Sequence, residues 1–74
     1  MNQNINIYNI VAANIKKYRK EAGITQKQLA ELSGYSHEYI RYIEAPNSYK
    51  SFSVEVVFIV SNVLNIEIYK LFLY

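Results

Sequence analysis

The chain has 74 residues, no cysteine, one histidine and a formal net charge of +2. A chain this short buries only about 60% of the surface it exposes when unfolded. It lacks thiolates for a disulfide framework or a zinc site, His37 alone builds no metal centre, and its charge is too small to mark a nucleic-acid binder by itself. Residues 1–6 lack a basic, apolar leader pattern, and no apolar run approaches the roughly 20 residues that span a membrane. The expectation is therefore one cytoplasmic domain over residues 1–74, without membrane segment, metal or cofactor. Charge is uneven: Lys16, Lys17, Arg19, Lys20 and Lys27 stand against Glu21 in the amino-terminal half, whereas Lys70 faces Glu55 and Glu67 after Ser51. Lys16, Lys17 and Lys20 read equally well as the solvated face of a helix.

In chain order, Val11, Ile15, Tyr18 and Ala22 recur at helical spacing and predict a first helix over 8–22, with Gly23 as a left-handed stop. Thr25 and Gln28 fit a capping box, in which each side chain serves the other's backbone amide, and open a second helix over 26–33. Gly34 permits a tight turn, and Ser36 caps a third helix over 37–44. Pro46 ends that helix, and Asn47, Ser48, Tyr49, Lys50 and Ser51 are loop material. The run from Val54 to Val60 is β-branched enough to suggest a strand in isolation, yet Ser53 caps it and the apolar pattern continues through Val63 and Leu64. A helix over 53–64 is preferred, with a stop at Asn65. Ile68, Leu71 and Phe72 repeat at three and four and predict a short fifth helix over 67–73, weakly capped by the long carboxylate of Glu67.

Two short helices joined by a tight glycine turn, the second with one apolar and one polar face, form the arrangement that enters a DNA major groove. On the third helix Ile40 and Ile43 point one way, while His37, Glu38, Arg41 and Tyr42 cluster on the other side. The segment Gly23 to Gly34, with Ser36, Ile40, Ile43 and Glu44, resembles the phage repressor/Cro-type helix-turn-helix family. The likeness extends from Tyr8 to Phe72 through Val11, Ile15, Tyr18, Arg19, Ser53, Val54, Glu55, Val57, Leu64, Ile66 and Leu71. It implies an all-α, five-helix, lambda-repressor-like domain that binds double-stranded DNA, usually as a symmetric dimer, and regulates transcription.

The resemblance also implies roles for residues. Gln26 and the nearby amides, with Lys27, would meet phosphate at the start of the second helix, and Ser36 would do so at the start of the third. The base-edge positions fall on His37, Glu38 and Tyr42, and Arg41 shares their face. Asn47, Tyr49 and Lys50 in the following loop would return to the sugar-phosphate backbone, with Lys50 the best placed to reach it. Arg19 and Glu44 fall where the family places a structural ion pair. Chemically, His37 offers a donor or acceptor to a base edge, Glu38 an acceptor for a cytosine amine, and Tyr42 a ring for a thymine methyl or a hydroxyl for phosphate. Arg41 suits guanine or phosphate; a surface ion pair with Glu38 is the alternative. Two departures stand out: Ala45 and Pro46 replace the glycine usual after the Glu44 position, and the loop before Ser53 is two residues longer.

The resemblance implies burial of Val54, Val57, Phe58, Val60 and Leu64. Val56, Ile59 and Val63 then form a second apolar stripe, leaving Glu55, Ser61 and Asn62 as the helix's polar residues. With Ile66, Ile68, Tyr69 and Leu73, this stripe is the expected interface of a homodimer on an inverted-repeat operator. An enzyme is disfavoured, because no acid, base, nucleophile or phosphate-loop pattern is present. The competing function is an antitoxin or phage-derived modulator whose main partner is another protein.

Overall fold

The computed structural model of the chain describes residues 6–46 and 48–74. Four α-helices follow one another: α1 (Ile7–Glu21), α2 (Gln26–Ser33), α3 (His37–Glu44) and α4 (Val54–Val63). A 3₁₀ segment, Ile68–Phe72, closes the chain. Each α-helix starts on a side-chain cap that accepts a backbone N–H of its first turn: Asn6, Thr25, Ser36 and Ser53. Such a cap contributes about 1 kcal/mol by satisfying a donor that would otherwise be orphaned. The box at α2 is complete, with the Gln28 amide donating to Thr25 Oγ1 at 3.0 Å and the Thr25 amide to Gln28 Oε1 at 2.8 Å.

Helix ends are equally local. Gly23 (φ 75°) and Asn65 (φ 57°) take the left-handed conformation. Behind each, paired bonds close a Schellman motif: Ile24 N–H to Arg19 O and Gly23 N–H to Lys20 O after α1, and Ile66 N–H to Ser61 O and Asn65 N–H to Asn62 O after α4.

The expected fifth α-helix is a single 3₁₀ segment instead. Glu67 makes no side-chain cap bond. The Asn14 amide of α1 donates to the Leu71 and Leu73 carbonyl oxygens at 2.9 and 2.6 Å, pinning the segment to α1. Leu71 is completely buried within it.

Apolar packing joins all these elements around Val11 and Ile15 of α1, Leu29 and Ala30 of α2, Ile40 and Ile43 of α3, and Val56, Val57 and Val60 of α4, with Leu64 and Leu71. α1 rests on α3 and the 3₁₀ segment, and α2 on α3 and α4. On α4 the buried arc differs from the expected one. Val56 is 5% exposed and belongs to the core, whereas Val54 and Phe58 are 72% and 53% exposed. At 100° per residue, positions 56, 57, 60, 61 and 64 share one face and positions 54, 55, 58 and 62 the other. Val56 is thereby withdrawn from the expected dimer stripe. Ser61, one of the helix's polar residues, lies inside and donates its hydroxyl to the Phe58 carbonyl oxygen at 2.7 Å. Among the described residues no helix is long and apolar enough to cross a membrane.

Candidate nucleic-acid interface

The pair α2 and α3 meets across the turn at Gly34, whose φ of 84° lets the chain reverse where a side chain would strain it. Ser36 Oγ then accepts the Tyr39 amide at 3.0 Å and starts α3. Ile40 and Ile43 turn inward, and His37, Glu38, Arg41 and Tyr42 are exposed. The period of the helix thus separates an anchoring face from a polar outer one.

Arg19 and Glu44 decide how that outer face is aimed. Arg19 Nε donates to Glu44 Oε2 at 2.7 Å and Nη2 to Oε1 at 3.0 Å, with the side chains only 9% and 1% exposed. Nη1 donates to the Ile24 carbonyl oxygen at 2.9 Å, and Gln26 Nε2 to Glu44 Oε1 at 3.1 Å. A planar guanidinium fork matched to a carboxylate has little angular freedom. The end of α1, the turn after it, the start of α2 and the end of α3 are therefore fastened at one point.

Several residues with expected DNA roles bond inside the chain. Lys50 is buried rather than displayed: its Nζ donates to Asn9 Oδ1 at 2.7 Å and to the Ala45 carbonyl oxygen. Desolvation lowers its pKa below the ordinary lysine value. The expected phosphate contact by Lys50 is thus corrected, because its ammonium is turned inward onto Asn9 and the Ala45 carbonyl at the end of α3. Gln26 commits one amide hydrogen to Glu44. Tyr42 commits its hydroxyl, which donates to Ser51 O at 3.2 Å and accepts Ser51 N–H at 3.1 Å. Its ring stacks on Tyr39 with centroids 5.9 Å apart, and Tyr39 in turn leans on Tyr35 at 5.2 Å. Burial, then the nearby Glu55 carboxylate and Tyr39, raise the Tyr35 pKa.

Other candidates remain at the surface. Lys27, Ser36 and the fully exposed Tyr49 are accessible, as are Lys16, Lys17 and Lys20 on α1. Asn47 lies outside the described residues. Glu38, Arg41 and Tyr42 line one shallow groove of about 350 Å³ on α3. Glu38 and Arg41 make no ion pair there; the salt bridge among the described residues is Arg19 with Glu44. Among the described residues no three His, Cys, Asp or Glu side chains cluster as a metal site would require.

A helix-turn-helix family model matches residues 15–71, from the middle of α1 to the 3₁₀ segment. The chain belongs to the Cro/C1-type helix-turn-helix family. It is a DNA-binding transcription regulator of that type. No curated protein and no solved structure matches it. In this helix-turn-helix protein, sequence reasoning missed the Tyr42–Ser51 latch and the Lys50 tether. Nothing local in the sequence names the acceptors of either contact.

Two stability predictions follow from the buried contacts. Glu44→Ala strands the Arg19 charge and is expected to destabilise the fold by about 3–5 kcal/mol in denaturant unfolding; an unchanged midpoint would show the pair to be decorative. Lys50→Ala removes the ammonium bonds to Asn9 and to the half-buried Ala45 carbonyl, which keeps the Ser48 hydroxyl as a donor, and is expected to cost about 0.5–1.5 kcal/mol. It should leave the salt dependence of DNA binding unchanged, whereas a lysine on phosphate would lower that slope by about one when removed.

Proposed function

We propose that this regulator is a repressor that binds operator DNA as a homodimer, with α3 in the major groove. The observation that carries the reading is the exposed polar face of α3, held in one orientation by the buried Arg19–Glu44 pair. His37, Glu38 and Arg41 face base edges, with the Tyr42 ring beside them. Lys27, Ser36, Tyr49 and the uncommitted amide hydrogen of Gln26 serve phosphate, together with the backbone amides at the start of α2. Occupying DNA that the transcription machinery needs would give repression.

The homodimer reading is supported by apolar surface that the core leaves uncovered. Val63, Ile66 and Ile68 are partly spent on the core. Ile59 lies on the flank of α4's buried arc, and Tyr69, Leu73 and Tyr74 are 56%, 56% and 92% exposed. Two-fold pairing would cover such side chains and set the two α3 helices about 34–36 Å apart, one turn of DNA, so that the operator is an inverted repeat.

A second reading, a module whose main partner is another protein, draws support from an apolar groove of about 160 Å³ lined by Ile7, Tyr8, Val11, Phe52, Val54, Val57 and Phe72. Salt separates the two: phosphate contacts make affinity fall steeply as salt rises.

Selection from random duplexes by the full chain is expected to enrich an inverted repeat, and His37→Ala to weaken that site by about 1–3 kcal/mol while altering preference at particular base pairs. Enrichment of no duplex would remove the DNA reading. For assembly, light scattering over a concentration series is expected to show a dimer that Ile59→Glu dissociates with helix content intact; a strict monomer at high micromolar concentration would exclude it.

A further inference from the structure

Two exposed lysines on α1 stand apart from the other surface charges. At about 100° per residue, Lys16 and Lys20 lie within about 20° of Asn9 on one flank of that helix. Contacts fix where the flank lies. Asn9 Oδ1 accepts the Lys50 ammonium, so the loop after α3 reaches α1 along it. Arg19, about 60° from Lys16 on the side of the core, holds Glu44 at the end of α3. Asn14, about 140° round the helix from Asn9, meets the 3₁₀ segment instead. Lys16 and Lys20 therefore border the end of α3 and the loop that carries the fully exposed Tyr49, away from the carboxy-terminal edge. Lys27 approaches the same junction from the start of α2, where Gln26 donates to the Glu44 carboxylate.

The lysines of α1 also differ in what answers their charge. Lys17, about 80° further round than Asn9, has its ammonium 5.1 Å from the centre of the Tyr18 ring, and Glu21 follows it by one turn. Lys16 is followed one turn on by Lys20, and like charges at that spacing repel and weaken a helix. Neither belongs to the salt bridge found among the described residues, Arg19 with Glu44. The negative end of the α1 dipole favours Lys20 in the last turn, but its effect fades within that turn and offers Lys16 little. A polyanion lying along this flank would offset the repulsion between the two.

Resting on the DNA-binding reading above, we propose that Lys16 and Lys20 hold phosphates of the DNA backbone, so that the interface extends beyond α2 and α3 onto α1. The ligand is the phosphodiester chain, met as charge and without base preference. Lys17 takes no part.

The test uses the full chain with a duplex selected from a random pool and an unselected duplex beside it. Each is titrated over a series of salt concentrations, and thermal unfolding of every variant is recorded alongside. Log affinity falls against log salt with a slope of about −0.9 for each phosphate neutralised. Lys16→Gln and Lys20→Gln should each flatten that slope by about one, and the double variant by about two, on both duplexes alike and with unfolding midpoints no lower than wild type. Lys17→Gln removes an equal charge from the same helix and should leave the slope unchanged, as should Lys16→Arg, which keeps the charge. An unchanged slope in the double variant overturns the assignment while DNA binding stands, and leaves the flank to an acidic protein partner. Equal flattening by Lys17→Gln also overturns it, by marking an effect of net charge. Wild-type affinity that does not respond to salt overturns the DNA reading and the assignment together.

Discussion

The geometry of this domain depends on a charge pair buried where three helices meet. Taking Arg19 and Glu44 out of water costs several kcal/mol for each ion, and only close, multiply bonded geometry offsets that. Here both carboxylate oxygens and all three guanidinium nitrogens find partners, with the Ile24 carbonyl and the Gln26 amide completing the set. Apolar contacts are non-directional and tolerate several helix angles, whereas a two-pronged hydrogen-bonded pair does not. With a core as small as this one, the pair's contribution is direction: it fixes which side of α3 faces outward.

The loop after α3 extends the same logic to the other end of that helix. It is held by the Lys50 ammonium on Asn9 and Ala45, by the Ser48 hydroxyl on Ala45, and by Tyr42 on Ser51. Each bond consumes polar capacity that was available, from the residue types alone, for phosphate or base. No buried side-chain nitrogen or oxygen among the described residues lacks a partner. The loop therefore acts as a brace for α3, on whose outer face His37, Glu38 and Arg41 stay exposed.

Helix α4 illustrates a limit of pattern reading. Apolar residues occupy most of its circumference, so periodicity alone does not say which arc faces inward. Packing against α2 and the 3₁₀ segment selects the arc of Val56, Val57, Val60, Ser61 and Leu64, and rotates Val54 and Phe58 outward. The apolar surface left over is what the dimer reading draws on.

Helix starts, helix stops and the turn between α2 and α3 were legible from the residues because each is a local event. A serine or threonine oxygen reaches an amide three residues on, and Gly23, Gly34 and Asn65 take left-handed angles without distant help. Four α-helices consequently lie within a residue of their expected bounds, and the outer face of α3 holds the four side chains assigned to it. The meeting of Arg19 with Glu44 was anticipated through family resemblance, not from spacing. Three-dimensional packing settled the destinations of Lys50, Gln26 and the Tyr42 hydroxyl, the inward arc of α4, and the 3₁₀ form of the last segment. Those outcomes rest on contacts such as Asn9 with Lys50 and Asn14 with Leu71, between residues 41 and 57 positions apart. A hydrogen bond across that distance in sequence has no periodic or capping signature; it exists only once the core has brought the two segments together.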